Sequence, residues 1–216
     1  MGKYSIELIE VTKKYSVNTV LSNINLNLLS GNIYGIVGRN GSGKSMLLKC
    51  ICGFVAPTSG TVKISHNGKV LSKDKNMNTN MGIIIENPGF LKEYNGYQNL
   101  KLLSIVQGGI KNQEIIDTMS LVGLEPKSKK KVGKYSMGMR QKLGIAQALL
   151  GNPNILLLDE PMNGLDEDSV KTLRELLLTL KVQDKLIVLA SHSKEDIEIL
   201  CDEVFLMQSG KIKKII

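Results

Sequence analysis

Apolar and polar positions divide this chain into strand-like segments at both ends and a helical middle. Residues 3 to 11 and 20 to 29 alternate, with Ile24, Leu26 and Leu28 set against Asn23, Asn25 and Asn27. That period of two predicts half-buried strands forming an antiparallel flank. Gly31 and Asn32 mark a turn, Ile33 to Val37 reads as a buried strand, and 43 to 53 as a helix. Pro57 to Gly60 breaks the chain before a hairpin, Thr61 to Ser65 and Lys69 to Leu71, whose Asn67-Gly68 junction suits a type I′ turn. Lys73 to Asn80 is polar and loop-like, and Met81 to Ile85 returns as a buried strand.

From Asn87 to about Gly151 the period lengthens to that of helices. Leu100, Leu103 and Val106 predict one apolar face, Ile115, Ile116, Met119 and Val122 a second, and Leu143, Ala146, Leu149 and Leu150 a third. After Pro153 the order becomes strand (154 to 158), helix (168 to 181), strand (185 to 190), helix (194 to 201) and strand (203 to 207). Strands alternating with helices predict a mostly parallel sheet with both faces covered, and the helical stretch reads as a lobe inserted into it.

Composition narrows this picture. With 216 residues and 42% hydrophobic content, the chain supports one α/β core carrying such a lobe rather than two full domains. The longest apolar blocks, such as Ile155 to Leu158 and Leu186 to Ala190, fall far short of the roughly 18 residues that cross a bilayer, so no span is expected. The first residues, MGKYSIELIEVTKKY, lack the apolar core of a signal peptide, and export is not expected. Three cysteines, Cys50, Cys52 and Cys201, show no metal-ligand spacing; they fit a reducing compartment and read as ordinary helix residues.

The net charge of +8 is compatible with nucleic acid, anionic lipid or mere solubility, and composition does not choose. The densest basic run, Lys127, Lys129, Lys130 and Lys131, has no interleaved aromatics for base stacking and reads as a solvated connector.

Candidate chemistry begins at GRNGSGKS, residues 38 to 45, between the strand ending at Val37 and the helix-like stretch Ser45 to Cys52. Gly38, Gly41 and Gly43 allow a tight turn that brings amide N–H groups onto a phosphate chain, which the positive end of the following helix also favours. Lys44 would supply a point charge to the β and γ phosphates and the Ser45 hydroxyl a ligand to Mg²⁺; outside this strand and helix context the string would be only a Gly-rich turn.

A second motif, ILLLDEP at 155 to 161, delivers Asp159 and Glu160 to the carboxyl end of a buried strand, where open α/β sheets place their ligands. Asp159 would hold Mg²⁺ and Glu160 would orient or deprotonate an attacking water. Between the motifs lies YSMGMRQKLGIAQALL, residues 135 to 150. Ser136 and Gly138 at the start of a helix could offer hydroxyl and amide donors to a phosphate, or could simply cap the helix.

Taken together, these segments resemble the ATP-binding cassette (ABC) proteins, whose LSGGQ signature corresponds to Ser136, Met137, Gly138 and Met139 followed by Arg140 and Gln141. The resemblance implies a P-loop NTPase (RecA-like) α/β fold: a mostly parallel sheet, an antiparallel β flank and an inserted α-helical subdomain. It divides the chain into an ATP-binding core, 1–86 and 152–216, and a helical subdomain, 87–151, with no C-terminal regulatory domain.

As implied ATP contacts it adds Arg39, Asn40, Ser42 and Met46 beside the glycines, Lys44 and Ser45, with Tyr15 as the aromatic that stacks on adenine. NGLD, 163 to 166, matches the loop after the catalytic carboxylate and places Asp166 at a dimer seam. His192 matches the switch histidine that reaches the γ phosphate and holds Glu160 or the water; alone it would be a polar residue at a strand end.

One residue departs from the family pattern: Glu86 stands where most members have glutamine. By resemblance it would contact Mg²⁺ or the attacking water, although it could also point to solvent. A carboxylate would bind the metal harder while adding negative charge beside the γ phosphate. Glu86 and the YSMGM signature look like those of ATPases from bacitracin-type and lantibiotic-immunity transporters, which export peptide antibiotics as self-protection.

The implied partners are ATP, Mg²⁺, a transmembrane permease, and a second cassette, identical or not, docked head to tail on the cytoplasmic face of the membrane. Residues 87 to 100, with Phe90, Leu91 and Tyr94, are the expected permease contact. The competing expectation is a soluble cassette ATPase acting on nucleic acid or ribosomes. Coiled-coil insertions and tandem cassettes, which mark those relatives, are missing from this sequence, so no nucleic acid partner is expected.

Overall fold

The computed structural model describes residues 2–71, 81–86 and 89–216, so the expected loop Lys73 to Asn80 lies outside the described residues. The chain opens with strands β1 (Tyr4–Tyr15), β2 (Asn18–Leu29) and β3 (Ile33–Val37), then helix α1 (Lys44–Ile51). Strands β4 (Ser59–His66), β5 (Lys69–Val70) and β6 (Met81–Ile84) precede helices α2 (Gly96–Val106), α3 (Asn112–Leu121) and α4 (Met137–Leu149). The chain continues through β7 (Ile155–Asp159), α5 (Glu167–Val182), β8 (Leu186–Ala190), α6 (Lys194–Leu200), β9 (Glu203–Gln208) and β10 (Lys211–Lys214).

Two sheets result. The first is antiparallel, in the order β2-β1-β4-β5. Its inner face carries Ile6, Leu8, Ile24, Leu26 and Leu28, all buried, while Asn23, Asn25 and Asn27 are exposed, as the alternation demands. The hairpin of β4 and β5 joins this flank through β1, a pairing that its own short pattern did not reveal. Asn67 and Gly68 both have positive φ, 51° and 76°, as a type I′ turn requires.

The second sheet has the order β10-β9-β3-β8-β7-β6. Its strands are parallel except β10, which runs antiparallel to β9. Register matters here, because Ala190 of β8 lies level with Ile36 of β3 on one side and Asp159 of β7 on the other. The loops after β3, β7 and β8 therefore leave the sheet side by side at its carboxyl edge.

Three clusters of buried side chains hold the layers together. One joins the antiparallel sheet and α1 to the central sheet, a second joins the other face of that sheet to α5, and a third lies among α2, α3 and α4. Helix α4 serves two of them, since Ile145 and Ala148 enter the second cluster while Leu143 and Ala146 enter the third. Each fully buried Leu or Ile stabilises the fold by about 1.5–3 kcal/mol, so α4 is anchored firmly to both parts.

Some expectations need correction. Val106 is 84% exposed rather than on the face of Leu100 and Leu103. Each i+3 step falls about 60° short of a full turn, so two steps carry Val106 about 120° away from Leu100. Strand β10 was not anticipated, because Lys-Ile-Lys-Lys offers one apolar residue and no readable period. Phe90 packs, half-buried, against the helical cluster, leaving Leu91 and Tyr94 as the exposed members of that trio.

Cys52 and Cys201 sit at helix C-caps instead of inside helices, and burial pushes the Cys201 thiol up to about 12. No helix among the described residues is long and apolar enough to cross a membrane.

Candidate active site

The loop after β3 is shaped by its glycines. A Cβ on Gly38 would lie 2.3 Å from the Met207 carbonyl oxygen, so only glycine fits where the loop passes over β9. The loop closes on itself through Ser42 N–H donating to the Arg39 carbonyl at 3.1 Å. Arg39, Asn40 and Gly41 remain exposed.

Helix α1 follows with no side-chain cap, and its first ladder bond runs from Leu47 N–H to the Gly43 carbonyl at 2.9 Å. The amides of Lys44, Ser45 and Met46 therefore have no acceptor within the helix, which makes this end an anion site. The Lys44 ammonium donates to the carbonyls of Gly38 at 2.8 Å and Arg39 at 3.4 Å, so it is folded back across the cradle.

The parallel register brings the two carboxylates opposite this helix. Asp159, the last residue of β7, accepts a hydrogen bond from the Ser45 hydroxyl at 2.5 Å. Burial raises its carboxyl pKa, the Ser45 bond opposes that, and the charge of Glu160 raises it further. Two hard oxygen donors thus sit together at a place where negative charge is disfavoured, and this donor set fits a divalent cation. No cluster of three or more His, Cys, Asp or Glu among the described residues could hold a metal unaided, so further oxygens would have to come from a phosphate chain and water.

Glu160 has a left-handed backbone, φ 49°, and its N–H donates to the Ala190 carbonyl at 2.9 Å. Its carboxylate lies 2.8 Å from Nδ1 of His192, in the loop after β8. Ser193 ends that loop by accepting the Asp196 N–H at 3.2 Å, which caps α6.

A cleft of about 580 Å³ gathers Lys44, Ser45, Asp159, Glu160 and Glu86, with Asn40, Gly41, Gly43 and Met46 on the loop side and Met137 and Gln141 from α4. Glu160 also lines a neighbouring cleft of about 500 Å³ with His192 and Arg174. Glu86, at the end of β6, is ion-paired with Lys49 of α1 at 2.6 Å while its side chain remains 67% exposed. It is therefore not free in solvent, and its charge is one of those that raise the Asp159 carboxyl pKa.

Other expected site residues lie outside the lining of the larger cleft. Tyr15 is half exposed at the end of β1, its hydroxyl 4.0 Å from the Met46 sulfur and the Lys13 ammonium 4.8 Å from its ring centre. Ser136 caps α4 by accepting the Met139 N–H at 3.2 Å, and Gly138 lies in the first turn of that helix. Asp166 caps α5, and hydrogen bonds from Ser169 hold its carboxyl pKa below the ordinary value.

Sequence reasoning missed three residues that shape the site: Lys49, which neutralises Glu86; Arg174, which binds the first turn of α6; and Gln141, which reaches the backbone of Glu160. Lys49 and Arg174 are ordinary helix residues in the sequence and Gln141 merely follows the signature, so only its partner makes each informative.

A family profile described as "ABC transporter" matches residues 21–163. Among curated proteins, the chain is 43% identical to the uncharacterized ABC transporter ATP-binding protein YybJ of Bacillus subtilis (strain 168), over 96% of this chain and 94% of that protein. It is 36% identical to the bacitracin transport ATP-binding protein BcrA of Enterococcus faecalis, over 97% of this chain and 68% of BcrA. It is 35% identical to the lantibiotic transport ATP-binding protein SrtF of Streptococcus pyogenes, over 96% of this chain and 88% of SrtF. Among solved structures, the dimeric post-hydrolysis state of the ATP-binding cassette MJ0796 bound to ADP and Pi superposes with a TM-score of 0.86 at 25% identity, covering 97% of this chain and 98% of that one.

Proposed function

Because this chain belongs to the ABC transporter family, as an ATP-binding ATPase domain, we propose that it powers export of a peptide antibiotic of the bacitracin or lantibiotic kind through a separate permease. The observation that carries the reading is the single cleft in which Lys44, Ser45, Asp159, Glu160 and Glu86 meet. The names of BcrA and SrtF support the choice of cargo.

Two cassettes meet head to tail in this reading, with ATP held between the cradle of one and Ser136 and Gly138 of the other. That explains why Ser136 and Asp166 stand apart from the cleft of their own chain: the residues that complete the site come from a second copy or a second cassette. The dimeric state of MJ0796 supports the arrangement.

Within each site the free amides of α1 and the loop from Gly38 to Gly43, with Arg39, Asn40 and Ser42 shaping it, bind the phosphates. Lys44 leaves the carbonyls of Gly38 and Arg39 to neutralise the β and γ charge. Tyr15 takes the adenine on the ring face opposite Lys13. Ser45 and Asp159 would hold Mg²⁺, which when bound would neutralise phosphate oxygens. Glu160 accepts a proton from the attacking water, and His192, 2.8 Å from its carboxylate, holds it in place. Glu86, paired with Lys49 in this structure, would part from it as nucleotide binds and relay occupancy to the residues that follow, whose exposed Leu91 and Tyr94 would face the permease.

Co-expression of this chain with candidate hydrophobic permeases tests the reading. Recovery of a detergent-soluble complex whose ATPase activity responds to a bacitracin or lantibiotic peptide supports it. Retention on ribosomes or DNA at physiological salt, with no permease complex, would overturn it.

A further inference from the structure

Glu160 occupies a left-handed backbone conformation, φ 49°, that is strained for a non-glycine residue and persists only where its surroundings over-determine it. Its N–H is taken by Ala190, and its carbonyl accepts from Asn163 N–H at 3.2 Å. The remaining support comes from α4: the side-chain amide of Gln141 donates to the carbonyl of Pro161 at 2.8 Å and to that of Glu160 at 3.3 Å. Both partners are carbonyls, so only the NH₂ of the amide can serve, which fixes the orientation of the Gln141 head group.

The first turn of the same helix touches the next residues of the loop. A Cβ on Gly138 would lie 2.8 Å from the Gly164 carbonyl oxygen, and one on Gly164 would lie 2.8 Å from Cγ of Met137. Helix α4 and the segment 160–164 are thus in direct contact at two levels, and only the Gln141 level acts on the backbone of Glu160 itself.

We propose that Gln141 is a positioning residue for hydrolysis: its amide clamps the Glu160–Pro161 backbone to α4 and so fixes the carboxylate of Glu160 against His192. The inference rests on the reading of Glu160 as the base that receives the proton of the attacking water. It also gives α4 a second duty. The helix begins at Ser136, the end proposed to meet the nucleotide of the opposing cassette, and continues to Gln141, which sets the geometry of its own Glu160. Capture of one nucleotide is thereby linked, along a single rigid helix, to the readiness of the other site.

The test uses the full-length chain with Gln141→Ala, the near-isosteric Gln141→Glu, Glu160→Gln, and the double variant Gln141→Ala/Glu160→Gln. Steady-state ATPase rates, nucleotide affinity by fluorescent-ATP titration and thermal midpoints are measured for each. Both Gln141 variants are expected to lower kcat roughly ten- to a hundredfold, the range for a catalytic group displaced by about 1 Å, with KM and nucleotide affinity within about twofold. Because Gln141 acts through Glu160, the double variant should be no slower than Glu160→Gln alone.

A raised KM with unchanged kcat, or a double variant slower by the full factor of the Gln141 change, would overturn the proposal. Normal turnover by both Gln141 variants beside a slow Glu160→Gln would remove the clamp alone. Normal turnover by Glu160→Gln would remove the base assignment and the clamp with it.

Discussion

Replacing Arg174 with Met removes the one cation among the described residues that is ion-paired with Asp196. Arg174, on α5, reaches the same Asp196 oxygen through two nitrogens at 2.5 and 2.9 Å and Glu195 at 3.0 Å. Both carboxylates hold the guanidinium pKa above its ordinary value, the Glu195 bond most. Arginine is charged at every working pH, however, so that shift does not rank them. Burial does, because the Asp196 side chain is 4% exposed and that of Glu195 71%.

Stranding a buried carboxylate costs about 3–5 kcal/mol, whereas an exposed ion pair contributes about 0–1 kcal/mol. At about 2–4 °C per kcal/mol for a chain of this size, Arg174→Met should lower the thermal midpoint by roughly 10 °C and Glu195→Ala by no more than about 4 °C. Arg174→Met combined with Asp196→Leu should recover most of the loss, since an apolar pair leaves no charge uncompensated. Asp196 lies in the first turn of α6, which Ser193 caps directly after His192, so kcat should fall in the single variant as well. Thermal melts monitored by circular dichroism provide the assay. A shift below about 2 °C for Arg174→Met, or one equal to that of Glu195→Ala, would refute the reasoning.

Glu86→Gln breaks an ion pair that is largely exposed on the Glu side, so stability should change by less than about 1 kcal/mol while the ATPase rate changes; unaltered hydrolysis would mean that Glu86 does not act in the site. Asp159→Asn should stabilise the nucleotide-free protein at neutral pH. Burial raises the folded pKa of Asp159 above its ordinary 3.8, so its contribution to stability is fully present below that value and is lost as pH rises through the folded pKa. The midpoint difference between the variant and the parent should therefore be largest near pH 7 to 8 and shrink toward pH 4, and a difference independent of pH would contradict it.

The strands and the glycine turn before α1 were legible because their signals are local. A buried apolar run, a glycine turn and a helix start lie within a few residues around Lys44, and ILLLDEP carries both its burial and its carboxylates. The pairings that aim these groups were not legible. Gln141 contacts main-chain carbonyls, which have no sequence signature, and Arg174 meets Asp196 only because α5 and α6 pack on one face of the sheet. Lys49 and Glu86 are joined by the same kind of long-range packing. Likewise β10, with a single half-buried residue in Ile212, is defined by its partner β9 rather than by its own pattern.

In the proposed function, ATP is clamped between two cassettes until Glu160 acts on water. Sedimentation of the Glu160→Gln chain with and without Mg·ATP tests it most directly. The expected result is an ATP-dependent dimer that retains unhydrolysed nucleotide and disappears when Lys44→Ala is added. A Glu160→Gln chain that hydrolyses ATP at the parental rate, or binds ATP and stays monomeric, would contradict the account.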